Sequence, residues 1–420
     1  MTKMLNKAIE IVKKLKGHGH EAFFVGGYVR DMLMENSCHD IDITTSAHPE
    51  EVSRIFKNTL AVGAQFGVII VLKDDDQFEV ATFRNDGQYI DGRRPESVEY
   101  STAKEDVERR DFTINGLLYD PIQEKVIDYV KGQDDIHSKL IRAIGNPLNR
   151  FQEDKLRMMR AVRFSAKFNF TIEGQTLKAI QTIASDLTIV SNERITEELS
   201  RMMEGPNPEI ALSLLKELSL LKEMLPNVIQ LENDAWKKLL VIIKTLKPTF
   251  SQALSLLLAI DSSNEYSLHH YPEKKTSKKE FELFKTVSLN LSSQTIKEIT
   301  SYWELYHIFE TYLNLTQAKK MRFLLMPQIE ESLKVLLAIH SALNIPMDTL
   351  NQIISDQSNL IKNITELPSS LLDGNDLMEL GLKPSKELSI IKNELIDLQL
   401  EGKLSTVEQA KAHVLKNYLN

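Results

Sequence analysis

Two glycines and two aspartates carry the clearest chemistry in this chain. Phe23-Phe24-Val25-Gly26-Gly27-Tyr28-Val29-Arg30-Asp31 reads as a strand entering a tight turn, and His39-Asp40-Ile41-Asp42-Ile43 follows it closely. With no side chains at Gly26 and Gly27, backbone amides can approach a phosphate, and Arg30 places a forked cation nearby. Asp40 and Asp42 alternate with Ile41 and Ile43, the period of a half-buried strand, so both carboxylates leave one face roughly 6 to 7 Å apart. One Mg²⁺ or two could sit between them, because magnesium needs only oxygen ligands from carboxylates, water and substrate phosphates. A double glycine alone is usually a turn, and an Asp-x-Asp pair alone a solvated strand face. In this order and spacing they point to nucleotidyl transfer.

Two further constellations bear on the nucleotide. In Arg109-Arg110-Asp111-Phe112-Thr113-Ile114-Asn115, preceded by Thr102 and Glu105 at capping-box spacing, a helix is expected, with Asp111 and Asn115 on one face. Aspartate can accept from ribose hydroxyls, asparagine can bond sugar or phosphate, and arginine can fork onto a triphosphate. Standing alone, this segment would read as a charged helix surface. Glu153-Asp154-Lys155-Leu156-Arg157 continues through Arg160 and Arg163, expected on one helical segment. Glu153 lies four residues before Arg157 and can orient its guanidinium, while Asp154 offers an acceptor beside that donor. A fixed donor and a fixed acceptor can read a base edge. The bland alternative is an exposed ion pair worth only ~0.3 to 0.5 kcal/mol.

The elements that must position these residues change character near residue 145. Before it, strands are expected at Ala22 to Val25, Ile41 to Thr45, Val68 to Lys73, Phe78 to Arg84 and Lys125 to Val130, separated by turns. After Gly145 the signals are helical: Asn146 is a cap, Pro147 suits a first turn, and a periodic segment begins near Phe151. Breaks are expected at Gly205-Pro206-Asn207-Pro208, Lys247-Pro248, Leu367-Pro368-Ser369-Ser370 and Asp373-Gly374-Asn375. The architecture expected is an α+β head, a small mixed sheet with helices, followed by an elongated all-helical remainder.

Composition sets the outer bounds. A chain of 420 residues with 42% hydrophobic content can bury a substantial core and is long enough for two to four domains. No apolar run is long enough for a membrane span, and Met1-Thr2-Lys3-Met4-Leu5 lacks a signal-peptide core, so a soluble cytoplasmic protein is expected, with no membrane partner. The single cysteine, Cys38, excludes an intramolecular disulfide and a cysteine-based zinc site. A net charge of −8 argues against a broadly basic surface, so an RNA partner must be met by local arginine and lysine clusters.

On these motifs the chain resembles the class II tRNA nucleotidyltransferases, the CCA-adding enzymes in their shorter bacterial form, of the tRNA nucleotidyltransferase and poly(A) polymerase family. Phe24 to Asp31 with Asp40 and Asp42 resembles the catalytic motif, Arg109 to Asn115 the ribose-binding motif, and Glu153 to Arg157 the amino-acid template. Asn192-Glu193-Arg194-Ile195-Thr196-Glu197-Glu198-Leu199 resembles the neck motif, and Leu372 to Leu377 with Leu380-Gly381-Leu382-Lys383-Pro384 a tail motif. The resemblance implies a catalytic head over 1–145, a nucleotide-recognising neck over 146–205, a helical body over 206–330 and a tRNA-binding tail over 331–420. It implies addition of C, C and A to a tRNA 3′ end from CTP and ATP with release of pyrophosphate, and a possible homodimer. Carried over by residue, Asp40 and Asp42 would bind Mg²⁺, with Glu79 as a further carboxylate. Gly27 and Arg30 would contact the triphosphate, Arg110 and Asn115 would help bind the nucleotide, and Asp111 would approach the ribose. Asp154 and Arg157 would pair with the base, Glu153 would orient Arg157, and Arg160 and Arg163 would complete the pocket. Gly116 departs from the alanine common in the family and is expected to loosen the preceding helix by ~1 kcal/mol.

Rival products share this chemistry. A bacterial poly(A) polymerase is disfavoured because Ala61-Val62-Gly63-Ala64-Gln65-Phe66-Gly67 stands where a basic, aromatic signature is expected. A CC-adding enzyme is disfavoured because the loop Asp86-Gly87-Gln88-Tyr89-Ile90-Asp91-Gly92-Arg93-Arg94-Pro95 is intact. An A-adding enzyme stays open. A non-catalytic RNA-binding protein is disfavoured by the retained aspartates and arginines, and a histidine-dependent phosphohydrolase by the placement of His269, His270, His307 and His340.

Overall fold

Four consecutive apolar residues, Ala22–Val25 (β1), are buried without exception and lie inside the sheet that carries the head. The computed structural model describes residues 2–38, 40–63, 67–86, 98–226, 228, 233–258, 287–326, 328–361 and 366–419. The remaining strands are β2 (Asp42–Thr45), β3 (Thr59–Gly63), β4 (Val68–Lys73), β5 (Asp76–Thr82), β6 (Arg84–Asp86), β7 (Val98–Tyr100), β8 (Leu117–Asp120), β9 (Lys125–Asp128), β10 (Leu140–Ile141) and β11 (Thr171–Ile172). Seven of them form one sheet in the order β3-β4-β5-β2-β1-β8-β9. Only β2 and β5 run parallel within it; the register Ile43↔Val80 sets Asp42 beside Glu79 on the adjacent strand. An antiparallel register pairs Val25 with Asp42, so the glycine turn and the aspartate emerge at the same end of β1 and β2.

Helix α1 (Thr2–Gly17) covers the sheet because Ala8, Ile11, Val12 and Leu15 recur at helical spacing and are all buried with Phe24, Ile43, Phe78 and Val80. Strands β3 and β8 were not legible: β3 ends in glycine, and both faces of β8 carry apolar residues, so neither shows period-2 alternation.

After α2 (Gly27–Leu33) and α3 (Pro49–Ile55), helix α4 (Ala103–Glu108) begins at the expected capping box, with Thr102 N donating to Glu105 Oε2 at 2.9 Å. It stops at Glu108, earlier than expected. Asp111 therefore lies in irregular backbone and Asn115 in a separate single turn, Thr113–Asn115. Nor does Gly116 loosen a helix. A Cβ there would lie 2.9 Å from Val130 Cγ2 and 3.0 Å from Ile144 Cδ1, so the glycine admits close packing of these side chains. Gly132, which opens α5 (Gly132–His137), is more constrained still: its Cβ would stand 2.2 Å from the Thr113 carbonyl oxygen.

Past Gly145, Asn146 caps α6 (Pro147–Glu153) by accepting from Asn149 N at 3.1 Å, with Pro147 in the first turn. The segment expected as one helix is two. Asp154 leaves α-helical geometry (φ −143, ψ 105), and α7 (Leu156–Phe168) starts after it. The following region is helical apart from β11, which returns to pair in parallel with β10. It comprises α8 (Gly174–Ile183), α9 (Asn192–Met203) and α10 (Pro208–Glu217), with the break between α9 and α10 at Gly205-Pro206-Asn207.

The chain divides into two compact units, Met1–Ile229 with Val287–Asn290, and Gln230–Thr286 with Leu291–Asn420. The described part of the second is all helical, including Asn233–Leu246, Ser293–Thr311, Ile329–Leu343 and Glu387–Leu400. The break expected at Asp373-Gly374-Asn375 ends at Asp373, which caps the helix Gly374–Glu379 through Asn375 N and Asp376 N. No described helix is long and apolar enough to cross a membrane.

Candidate active site and nucleotide pocket

Gly26 has φ 71 and ψ −128, a conformation reserved for glycine, and turns β1 into α2 (Gly27–Leu33). Its missing side chain leaves room for Arg110, whose Nη1 would lie 3.3 Å from a Cβ at that position. The turn thus brings the Arg109-Arg110 segment against the strand ends that carry the carboxylates. Asp40, Asp42 and Glu79 are all exposed there. Although Asp42 keeps an exposed face, protein packed around its carboxyl, the charge of Glu79 and then that of Asp40 push its pKa above the ordinary aspartate value, while Arg110 pulls it back. Like charges are therefore gathered on one edge. The donors are all carboxylate oxygens, which suits a hard divalent cation. Among the described residues no group of three or more acidic, histidine or cysteine side chains is placed to hold a metal ion, so a cation here would rest on fewer protein ligands, with water and phosphate oxygens filling the rest of its shell.

Beside this edge lies a cavity of about 300 Å³. Six arginines (Arg84, Arg109, Arg110, Arg157, Arg160 and Arg194) and two aspartates (Asp111 and Asp154) line it. Six guanidiniums against two carboxylates suit a polyphosphate ligand. Each wall is braced. Arg157, largely buried, donates from Nη1 to Glu153 Oε2 at 2.6 Å and to the Arg150 carbonyl at 2.9 Å. Asp154 accepts from Arg194 Nη1 and Nη2 at 3.2 and 2.8 Å, and from Leu156 N at 3.0 Å. Donor and acceptor thus face one cavity, each held by an opposite charge: Arg157 by Glu153, and Asp154 by Arg194, which is itself on the cavity wall.

Asp111 accepts from Arg160 Nε at 2.8 Å, from Asn115 Nδ2 at 3.1 Å and from Phe112 N at 2.8 Å. Burial works against its charge, but Arg160, the Asn115 bond and then Arg157 overcome that and hold its pKa at about 2. Asp106, wholly buried, shows the same contest, with Arg110 and Arg109 keeping its pKa below the ordinary aspartate value.

Several site residues expected from sequence sit elsewhere. Arg30 is buried: its guanidinium pairs with Asp31 at 2.9 Å through both Nε and Nη2, donates to Asn115 Oδ1 at 2.6 Å, and lies 4.6 Å from the Phe168 ring centroid. Asn115 has both ends of its amide engaged, by Arg30 and Asp111. Neither lines the cavity; they link the glycine turn to Asp111. Gly27 lies against Arg30, where a Cβ would stand 3.5 Å from Nη2. Arg163 is also outside the cavity lining, with Nε donating to Glu198 Oε2 at 2.6 Å. The loop from Gly87 to Pro95, His39, and residues 64–66 lie outside the described residues, as do His269 and His270 and the side chain of His307.

Sequence reasoning gave Arg84 and Arg150 no role, and placed Arg109 and Arg194 only within motifs without an individual one. Arg150 donates to Glu153 at 2.9 Å and to the carbonyls of Arg109, Glu108 and Ile144 at 3.0, 2.7 and 3.2 Å, tying α6 to the end of α4. Arg194 is 40 positions from Asp154, and no local periodicity connects them.

Residues 22–142 match the Poly A polymerase head domain, and residues 169–231 match a region described as the probable RNA and SrmB-binding site of polymerase A. The CCA-adding enzyme of Enterococcus faecalis is 40% identical over 276 residues, 62% of this chain and 67% of its own. That of Staphylococcus aureus is 35% identical over 317 residues, 75% of this chain and 72% of its own. A crystal structure of the Bacillus stearothermophilus CCA-adding enzyme in complex with CTP superposes with a TM-score of 0.75 at 26% identity, covering 98% of this chain and 96% of the other. A poly(A) polymerase type of head, an arginine-lined pocket and this extent of identity lead to one assignment: the chain belongs to the CCA-adding enzymes, the nucleotidyltransferases that build C, C and A onto the 3′ end of tRNA.

Proposed function

We propose that this chain adds the complete C, C, A sequence by itself in the cytoplasm, with Mg²⁺ held by Asp40 and Asp42 beside Glu79. We read 1–145 as catalytic head, 146–205 as neck, 206–330 as body and 331–420 as tail. The observation that carries the reading is that Asp154 and Arg157 line one cavity, each clamped by an opposite charge. Cytosine and adenine both present an exocyclic amine that donates beside a ring nitrogen that accepts. The carboxylate of Asp154 takes the amine and the guanidinium of Arg157 meets the ring nitrogen. Uracil and guanine put a carbonyl where the amine should be, facing a carboxylate, and are rejected.

Arg109, Arg110 and Arg84 line the same cavity and suit the triphosphate. Asp111 lies within reach of a ribose hydroxyl, with Arg160 and Asn115 fixing its orientation. Arg30 supports Asn115 from behind. Asp40 and Asp42 would hold the divalent cation at the carboxylate edge, where it would supply a lowered pKa for the attacking hydroxyl and neutralisation of phosphate charge. The terminal 3′-hydroxyl of tRNA then attacks the α-phosphorus in line, and pyrophosphate departs toward the arginines without a covalent enzyme intermediate.

The test is to incubate the chain with tRNA lacking its last three nucleotides, Mg²⁺ and labelled CTP and ATP. Growth by C, C and A followed by a stop supports the reading. Addition of C alone, of A alone, or of an unlimited A tract would replace it with the corresponding partial enzyme or a poly(A) polymerase.

A further inference from the structure

Asp106, near the end of α4, does not line the arginine cavity, yet two residues of the cavity wall converge on its wholly buried carboxylate. Arg109 donates to Oδ1 from Nε at 3.1 Å and from Nη2 at 2.7 Å, while Arg110 donates to Oδ2 from Nη2 at 3.2 Å. Each oxygen thus holds one guanidinium. A third residue of the wall is drawn in through its backbone, since Arg84 N, at the start of β6, lies 3.4 Å from Oδ1.

A buried carboxylate is costly unless opposite charges compensate it, and here two arginines share that task. What they gain in return is direction. Nη1 of Arg110 fits over Gly26, 3.3 Å from where a Cβ would stand, and its charge reaches Asp42 on the carboxylate edge. Yet the buried Nε of Arg110 has no hydrogen-bond partner among the described residues. An unsatisfied buried donor favours any rotation that returns it to water, so the bond to Asp106 and the fit over Gly26 hold Arg110 against that tendency. The base-reading side of the cavity is braced by other contacts, Arg157 by Glu153 and Asp154 by Arg194. One cavity therefore has two separate sets of braces, and Asp106 serves the set that holds Arg109 and Arg110.

We propose that Asp106 is a positioning residue for the phosphates: it fixes Arg109 and Arg110 toward the triphosphate of the incoming nucleotide and the pyrophosphate that leaves, without touching either. The inference rests on the reading that the arginine cavity takes CTP and ATP. Its chemistry is that of a preset donor fork, oriented before the anion arrives. Asp106→Asn keeps the shape of the side chain but turns one amide NH2 toward a guanidinium, donor against donor, so in either orientation one arginine loses its acceptor. Asp106→Glu keeps the charge but displaces both oxygens by a methylene.

The test uses the full chain, tRNA lacking its last three nucleotides, and these two variants, with inorganic pyrophosphate and tripolyphosphate as inhibitors that carry no base, at fixed free Mg²⁺. In Asp106→Asn both inhibitors should weaken by roughly tenfold, and KM for CTP and ATP should rise together by a similar factor. Asp106→Glu should weaken them by a smaller factor, about threefold. The preference for CTP over UTP and the Kd for tRNA should stay within about twofold, because the base-reading pair keeps its own braces. A purely structural carboxylate would move all of these quantities together. Unchanged inhibition in both variants overturns the proposal, and so does a loss of tRNA affinity or of base preference as large as the loss of pyrophosphate affinity. Should Asp106→Asn fail to fold, weakened inhibition in Asp106→Glu supports the proposal and unchanged inhibition overturns it. Failure of the unaltered chain to extend tRNA at all would instead strike the functional reading on which this one rests.

Discussion

The carboxylate edge and the arginine pocket lie in the same compact unit but are organised in opposite ways. At the edge, Asp40, Asp42 and Glu79 lie near one another at exposed strand ends, and their mutual repulsion helps push Asp42 above its ordinary pKa. In the pocket nearly every charge has been matched: Asp111 with Arg160, Asp154 with Arg194, Glu153 with Arg150 and Arg157, Asp106 with Arg109 and Arg110. On the function proposed above, the difference follows from what each must do: charges awaiting a cation are left unsatisfied, whereas charges that discriminate bases must be immobile before the nucleotide arrives. A loosely held guanidinium would bond to any of the four.

Four measurements would break or sharpen that contrast. Asp42→Ala removes a charge with no structural bracing, so single-turnover transfer should fall by at least ~10³-fold while CTP binding changes little. Loss of folding in place of lost chemistry would show that the edge is structural. Arg157→Ala removes a braced reader, so incorporation of U or G relative to C should rise by roughly 10²-fold, with less effect on the maximal rate. Equal slowing with all four nucleotides and no misincorporation would contradict base reading.

The bracing itself has a pH signature. A carboxylate with a depressed folded-state pKa contributes stability above its unfolded value and loses it as pH falls through the folded value. For Asp111, lowered from 3.8 to about 2, that contribution is complete above pH 4 and disappears toward pH 2. It amounts to about 2 kcal/mol. Acid unfolding followed by circular dichroism should show this component, and Arg160→Ala should shrink it. The smallest effect is expected at Arg150→Lys, which keeps a charge near Glu153 but cannot fork onto the carbonyls of Glu108 and Arg109. KM for CTP and ATP should rise together by on the order of tenfold. No change in KM would show that Glu153 alone sets Arg157.

Much of the fold was legible because local signals agreed with tertiary packing. The capping box at Thr102 and Glu105, the cap at Asn146 with Pro147 after it, and the buried run Ala22 to Val25 all adopt the structure their types favour. Where expectations missed, long-range contacts dominated. The helix expected through Asp111 stops at Glu108 because Arg150 collects its last carbonyls and Asp111 turns to meet Arg160. The helix expected through Arg157 breaks at Asp154, and the break gives that carboxylate its two roles, receiving Leu156 N and the fork of Arg194. Gly116, read as a weak helical position, is a packing position against Val130 and Ile144.

By itself, then, the sequence determined the chemistry available and its local order: a glycine turn and alternating aspartates on neighbouring strands, a neck rich in arginine, and a helical remainder. Those features depend on backbone periodicity and on side-chain types a few residues apart. Only the tertiary structure decided which arginines face the nucleotide. Arg30, Arg160 and Arg163 look alike as residues, yet one is buried against Asp31, Asn115 and Phe168, one holds Asp111 in the pocket, and one pairs with Glu198. A guanidinium's role is set by the carboxylates, amides and rings it meets, and beyond a neighbour such as Asp31 those come from residues dozens of positions away.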